Sequence, residues 1–170
     1  VWRRLRELIG SGDGSKFQRA AQGISLGILT RHANQHLARL RPQYEICCDD
    51  EEPLNLLITD KFEADTQRPM KSLSGGESFL ASLALALGLS DLAGRAVQID
   101  SLFVDEGFGT LDQETLEVAV AALESLRHDH KTVGVISHVA TLKERIGTQV
   151  VVEIRPGGGR RIRVLPEVSS

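Results

Sequence analysis

The chain has 170 residues, and its 20 Lys and Arg against 23 Asp and Glu leave a formal net charge of −3. So small a sum excludes a histone-like or polybasic binder and gives no electrostatic case for any partner. With 41% hydrophobic and 25% charged residues the composition is that of a folded globular protein, which excludes disorder and collagen.

The length predicts one domain over 1–170, and Val1 in place of an initiating Met leaves room for a longer parent protein. Arg3, Arg4 and Arg6 precede no apolar core or small-residue cleavage site, so no secretory signal is expected. Phe17, Ala20, Ile24, Ile28 and, after a slip, Leu37 and Leu40 recur at spacings of three and four, which predicts an amphipathic helix over 15–40. Asp13-Gly14 supplies a turn before it, and Pro42 stops it. Tyr44, Ile46 and Cys48 alternate with polar neighbours, 49–53 is an acidic turn, and Leu54, Leu56 and Ile58 alternate again, as in an antiparallel hairpin. Cys47 and Cys48 point to opposite faces of that strand, which disfavours a bridge between them; a reducing cytoplasm is the default location.

From 76 to 92 the chain is rich in Ala and Leu, as in a helix buried on most sides. Its longest apolar run, 79–89, is broken by Ser82 and Gly88, short of the roughly 18 uninterrupted residues of a bilayer span, so no membrane partner is expected. Leu102, Phe103 and Val104 predict a buried strand ending in two acids. Leu116, Val120, Leu123 and Leu126 predict a helix over 114–127, residues 132–136 a second buried strand, and 142–145 a short helix. Residues 149–155 and 160–165 form a hairpin around Pro156 and three glycines. The alternation argues for an α/β layer with parallel core strands and flanking helices, plus antiparallel hairpins. Three parts follow: helix and hairpin over 1–70, a core over 71–148 and the terminal hairpin over 149–170.

Several patterns fail on inspection. Residues 10–16 resemble a phosphate-binding loop, but Lys16 follows Ser15 rather than a glycine, and a helix-start turn fits better. Gly23-Ile24-Ser25-Leu26-Gly27 fits a hydrolase elbow, with Asp105 and His138 in the right order, yet it lies within a helical pattern instead of after a strand. His32 and His36 share a helix face at zinc spacing, but Ala33 stands where a metalloprotease places Glu, so a solvated or half-buried face is expected. His128, Asp129 and His130 read as a polar helix end, and Arg155, Arg160, Arg161 and Arg163 as a solvated hairpin in preference to a DNA contact.

What survives is a constellation. Ser74, Gly75, Gly76 and Glu77 open a long helix, where free N–H groups and the positive dipole end can hold an anion; a capping box between Ser74 and Glu77 is the simpler reading of the same residues. Asp105 and Glu106 end a strand, where α/β sheets place ligands: the first can hold Mg²⁺ through water, the second can deprotonate an attacking water. Gly107 to Asp112 follow directly, with Asp112 or Thr110 able to cap the next helix, and Ser137-His138 ends the next strand.

These pieces, in this order, resemble the ABC ATPase family: signature motif, Walker B strand with catalytic glutamate, D-loop and switch histidine. Glu77 where transporters often carry glutamine, followed by D-E-G-F-G-T-L-D over 105–112, is similar to the DNA-repair branch, and within it to SbcC proteins. Residues 12–17, 33–35, 83–87, 99–103 and 134–138 are also SbcC-like. The resemblance implies the C-terminal half of an ATPase head that uses ATP and Mg²⁺. Ser74, Gly75, Gly76, Glu77 and Asp112 would then face nucleotide, the signature acting in trans on a second head. Asp105 would support the metal, and Glu106 and His138 would be catalytic. Implied partners are the N-terminal half carrying Walker A, a second copy of the head, an SbcD-like nuclease and DNA. Because no Walker A is present, this chain alone is expected to be inactive. A nucleotide-gated chromosome-organising module and a transporter half-domain are the alternatives.

Overall fold

The computed structural model describes residues 14–93, 101–128, 132–154 and 158–165. Helix α1 (Ser15–Leu40) starts from Gly14 in the left-handed region at φ 73°, and its corner with β1 is closed by Tyr44 N–H donating to the Arg41 carbonyl at 3.0 Å. Strands β1 (Tyr44–Cys48), β2 (Leu56–Asp60) and β3 (Thr66–Pro69) form an antiparallel sheet in that order, with Ile46 opposite Ile58. A 3₁₀ turn (Met70–Ser72) leads into α2 (Gly75–Ala93). Then come β4 (Ser101–Asp105), a second 3₁₀ turn (Phe108–Thr110), α3 (Gln113–His128), β5 (Thr132–Ile136), α4 (Ala140–Arg145), and the antiparallel pair β6 (Gln149–Ile154) and β7 (Arg160–Leu165). Strands β4 and β5 are parallel and joined through α3, the crossover that parallel strands require.

The core lies where α1, α2 and α3 meet the first sheet: Ala33, Leu37, Ile46, Ile58, Leu80, Ala84, Leu87, Phe108, Leu116 and Ala119 are all buried. Helix α2 crosses α1 closely, since a Cβ on Gly88 would stand 2.5 Å from the Ala33 backbone nitrogen. By length and apolarity (19 residues, hydropathy 1.3) α2 could cross a membrane, which a count of uninterrupted apolar residues does not detect. Its inward stripe of Leu80, Leu83, Ala84 and Leu87 is buried in this core, which accounts for the composition.

Four expectations need correction. The first half of α1 does not bury its periodic apolar residues: Phe17 and Ile24 are exposed, and burial begins at Thr30. The second hairpin arm runs from Leu56, leaving Leu54 exposed, and a third strand joins it that the polar run Thr66-Gln67-Arg68-Pro69 did not announce. Strands β4 and β5 are not buried: Phe103 is 71% and Ile136 57% exposed, because the helices of this chain cover one face of the pair and leave the other open.

Other readings hold. Ser25 lies in α1 and donates to the Ala21 carbonyl, as a helical serine and not a nucleophile on an elbow. His36 lies 2.6 Å from Asp91 on α2 and, like His32, is half-buried. Cys47 and Cys48 are both free. Arg160, Arg161 and Arg163 are exposed on β7, with Arg163 paired to Glu153 at 3.3 Å. Residues 1–13, 99–100, 129–130 and 155–157, on which parts of the loop, motif, histidine and hairpin readings fell, lie outside the described residues.

Candidate functional site

The site begins at the two strand ends. Asp105 pairs with Ile136 across β4 and β5, and Glu106 N–H donates to the Ile136 carbonyl at 2.9 Å, so the chain leaves both strands at one edge. Glu106 then sits in the left-handed region at φ 55°, and Gly107 follows at φ 87°. A left-handed glutamate is uncommon and costs energy, and such strain gathers at functional turns. Only glycine suits position 107, where a Cβ would come within 2.7 Å of the Phe79 ring. The turn is anchored by Phe108, buried edge-on against Phe79 with ring centroids 4.8 Å apart, and by Thr110 Oγ1 donating to the Gly107 carbonyl at 3.0 Å.

From β5, Ser137 Oγ accepts the Val139 N–H at 3.1 Å, and His138 leans over the turn, its Cε1 and Nε2 lying 3.5 Å from where a Cβ on Gly109 would be. Glu106, Gly107, Phe108, Gly109, Thr110, Ser137 and His138 line one cavity of about 280 Å³. The acid and the histidine therefore converge. Asp105 is exposed at the strand end beside this cavity but does not line it.

The turn over 74–77 meets the same structure from the other side. A Cβ on Gly75 would stand 3.6 Å from Thr110, and one on Gly76 3.6 Å from Thr115, so the start of α2 rests on the 107–115 segment. Ser74 N–H donates to Glu77 Oε2 at 2.9 Å, and Glu77 N–H reaches Ser74 Oγ at 3.4 Å, which closes the capping box read from the sequence. Glu77 Oε1 accepts the Tyr44 hydroxyl at 2.5 Å, and Arg68 lies 4.0 Å from Glu77. Burial alone would raise the Glu77 carboxyl, but the hydrogen bonds from Tyr44 and Ser74 and the Arg68 charge outweigh it and hold the group below its ordinary 4.5. Burial first, and then the bond to Glu77, push Tyr44 above its usual value.

Asp112 caps α3: Oδ1 accepts the Thr115 N–H and Oδ2 the Thr115 hydroxyl, both at 2.8 Å. Those bonds, the backbone one foremost, lower the Asp112 carboxyl. Arg41 donates to Thr115 Oγ1 at 2.8 Å. No local pattern marks Tyr44, Arg68 or Arg41, whose partners lie far along the chain, whereas Thr115 also bonds Asp112 three residues away. Among the described residues no group of three or more His, Cys, Asp or Glu gathers as a metal centre.

The fold is that of an SMC-type ATPase head. A chain solved in work on ATP-driven dimerization and DNA-stimulated activation of SMC ATPases matches with TM-score 0.66 at 19% identity, over 86% of this chain and 89% of that one. The Smc head of Pyrococcus furiosus, solved with an extended coiled coil and bound to the C-terminal domain of ScpA, matches with TM-score 0.62 at 19% identity, over 91% of this chain and 39% of that one. Sequence narrows the class: the family described as SbcC/RAD50-like, Walker B motif, matches residues 54–125. The SbcC subunit of the SbcCD nuclease from Rhodobacter capsulatus is 46% identical and that from Pseudomonas aeruginosa 47%, each over 96% of this chain. The likeness is to the SbcC family, and it supports a C-terminal ATPase fragment of that kind. It spans 13% and 14% of the length of those two relatives.

Proposed function

We propose that this chain is the C-terminal half of the ATPase head of an SbcC-like DNA double-strand-break repair complex. The single observation that carries the reading is the convergence of Glu106 and His138 on one cavity against which the Ser74–Glu77 turn is packed through Thr110. On this reading residues 71–148 are the working core, flanked by 1–70 and 149–170.

ATP and Mg²⁺ fit in part. A cavity of about 280 Å³ falls just under the roughly 300–1,000 Å³ of whole-ligand pockets; it suits a terminal phosphate and a water, with the rest of the nucleotide held by the Walker A lobe. Bound nucleotide with Mg²⁺ supplies the electrophilic phosphoryl group and the neutralising charge. Asp105, exposed at the end of β4, would hold the cation through water, the habit of Mg²⁺. Glu106 is exposed and free to take a proton from water, and His138 supports the phosphate side of the same cavity. Ser74 Oγ accepts the Glu77 N–H, which leaves its own proton for a phosphate oxygen. Gly75 and Gly76 N–H groups open a helix and lack intrahelical partners. These donors act in trans, on nucleotide bound by a second head, and Asp112 fixes the turn between the two sites. ATP thereby closes two heads and gates DNA to an SbcD-like nuclease.

Mixing two inactive variants of the complete protein tests the trans arrangement. Ser74→Arg spoils the lid and Glu106→Gln spoils the acid, but a mixed pair keeps one intact site. Random exchange then restores roughly a quarter of wild-type turnover; no recovery means that lid and acid serve the same site. A second reading, a structural chromosome-organising module, draws on the SMC-head fold; DNA cleavage indifferent to Glu106→Gln would favour it.

A further inference from the structure

Two relays of the same composition hold the turns beside the cavity. In one, Arg68 Nη2 donates to Tyr44 Oη at 3.2 Å, and Tyr44 donates its only hydroxyl proton to Glu77 Oε1. In the other, Arg41 Nη2 donates to Thr115 Oγ1 at 2.8 Å, and Thr115 donates its proton to Asp112 Oδ2 at 2.8 Å. Each runs from guanidinium to hydroxyl to carboxylate, and a hydroxyl with one proton fixes the direction. Each carboxylate then accepts a backbone N–H at a helix start, Ser74 for α2 and Thr115 for α3.

Both relays lead back to one corner. Arg41 and Tyr44 are joined by the backbone bond that turns α1 into β1, so a single corner of the chain grips two turns that belong to different helices. Tyr44 and Thr115 are buried at 6% and 1% exposure, so they act through the carboxylates and not by touching nucleotide. Charge-assisted bonds of this kind are strong and directional where water is excluded.

Resting on the ATPase reading, we propose that Arg41, Thr115, Tyr44 and Arg68 are positioning residues that hold the 74–77 turn and the 107–112 turn in fixed register. Removing either hydroxyl leaves the charges in place but breaks the direction of the relay. The two turns then loosen separately, each with its own helix start.

Tyr44→Phe and Thr115→Val in the complete protein, with both lobes present, remove one hydroxyl each at nearly constant shape. Each is expected to lower kcat for ATP about tenfold through misplaced groups, with KM changed less than about twofold. Amide hydrogen exchange should quicken over residues 73–78 only in Tyr44→Phe and over 109–116 only in Thr115→Val, with α1 and the rest of α2 unchanged. Tyr44→Phe added to Glu77→Gln should slow turnover no further, because the two share one relay. Unchanged kcat and exchange overturn the proposal, as does exchange that rises across the whole core. If the wild-type protein hydrolyses no ATP, the functional reading falls, and the local exchange response decides the relays by itself.

Discussion

Glu77 accepts hydrogen bonds on both carboxylate oxygens, and its ionised form is the one those donors favour. A group whose folded value lies below its unfolded one adds stability that is present above the unfolded value and lost as pH falls through the folded one. The facing groups are Tyr44 on β1, Arg68 on β3 and Ser74 on the turn, and none of them titrates in acid. The melting temperature of the complete protein should therefore drop as pH falls below the ordinary Glu value of 4.5, and Glu77→Gln should flatten that part of the curve. An unaltered acid limb in the variant would contradict the assignment. Gly107→Ala forces a Cβ against Phe79 at φ 87° and should cost about 1–3 kcal/mol in chemical denaturation. At this scale the sequence shows what is local: the capping box and the Asp112 cap are legible in a few consecutive residues. Arg41 and Thr115 stand 74 positions apart, and nothing near either one signals the other.

Helical spacing tells which face of an element is apolar but not how far its cover extends. In α3 the spaced residues Leu116, Val120, Leu123 and Leu126 are all buried as read, whereas in α1 the same spacing fails before Thr30, where α1 extends beyond its cover. The apolar runs of β4 and β5 read as buried strands because hydrophobicity reports a preference, and a strand with one face open satisfies only half of it. Strand β3 is held by backbone pairing to β2, which leaves no apolar alternation to read. Close packing of α1 on α2 depends on Gly88. Gly88→Ala should part the two helices and cost about 1–3 kcal/mol or more, measured by urea unfolding; a loss under about 0.5 kcal/mol would mean that the helices shift freely.

Among the described residues, about half of the large exposed apolar side chains lie on strands, and the rest on α1, α2 and the connecting loops. Phe103 and Ile136 lie on the β4–β5 pair, and Val150, Val152, Ile154, Ile162 and Val164 on β6–β7. Apolar surface of that extent marks an interface. On the proposed reading it receives the Walker A lobe, so the chain alone should self-associate in sedimentation and become monodisperse when produced with that lobe. A well-behaved isolated monomer would count against it.

The α/β class and the family likeness are legible in the sequence because they rest on alternating elements and short, contiguous residue patterns; the open strand faces are not, because burial depends on what lies opposite. The proposed chemistry requires a division of work between two lobes. The most direct measurement is steady-state ATP hydrolysis by this chain alone, by the chain with its amino-terminal lobe, and by that pair carrying Glu106→Gln. A nucleotide site shared between two lobes gives turnover only in the second sample. Hydrolysis by the isolated chain that Glu106→Gln abolishes, or full activity in the variant pair, would contradict it.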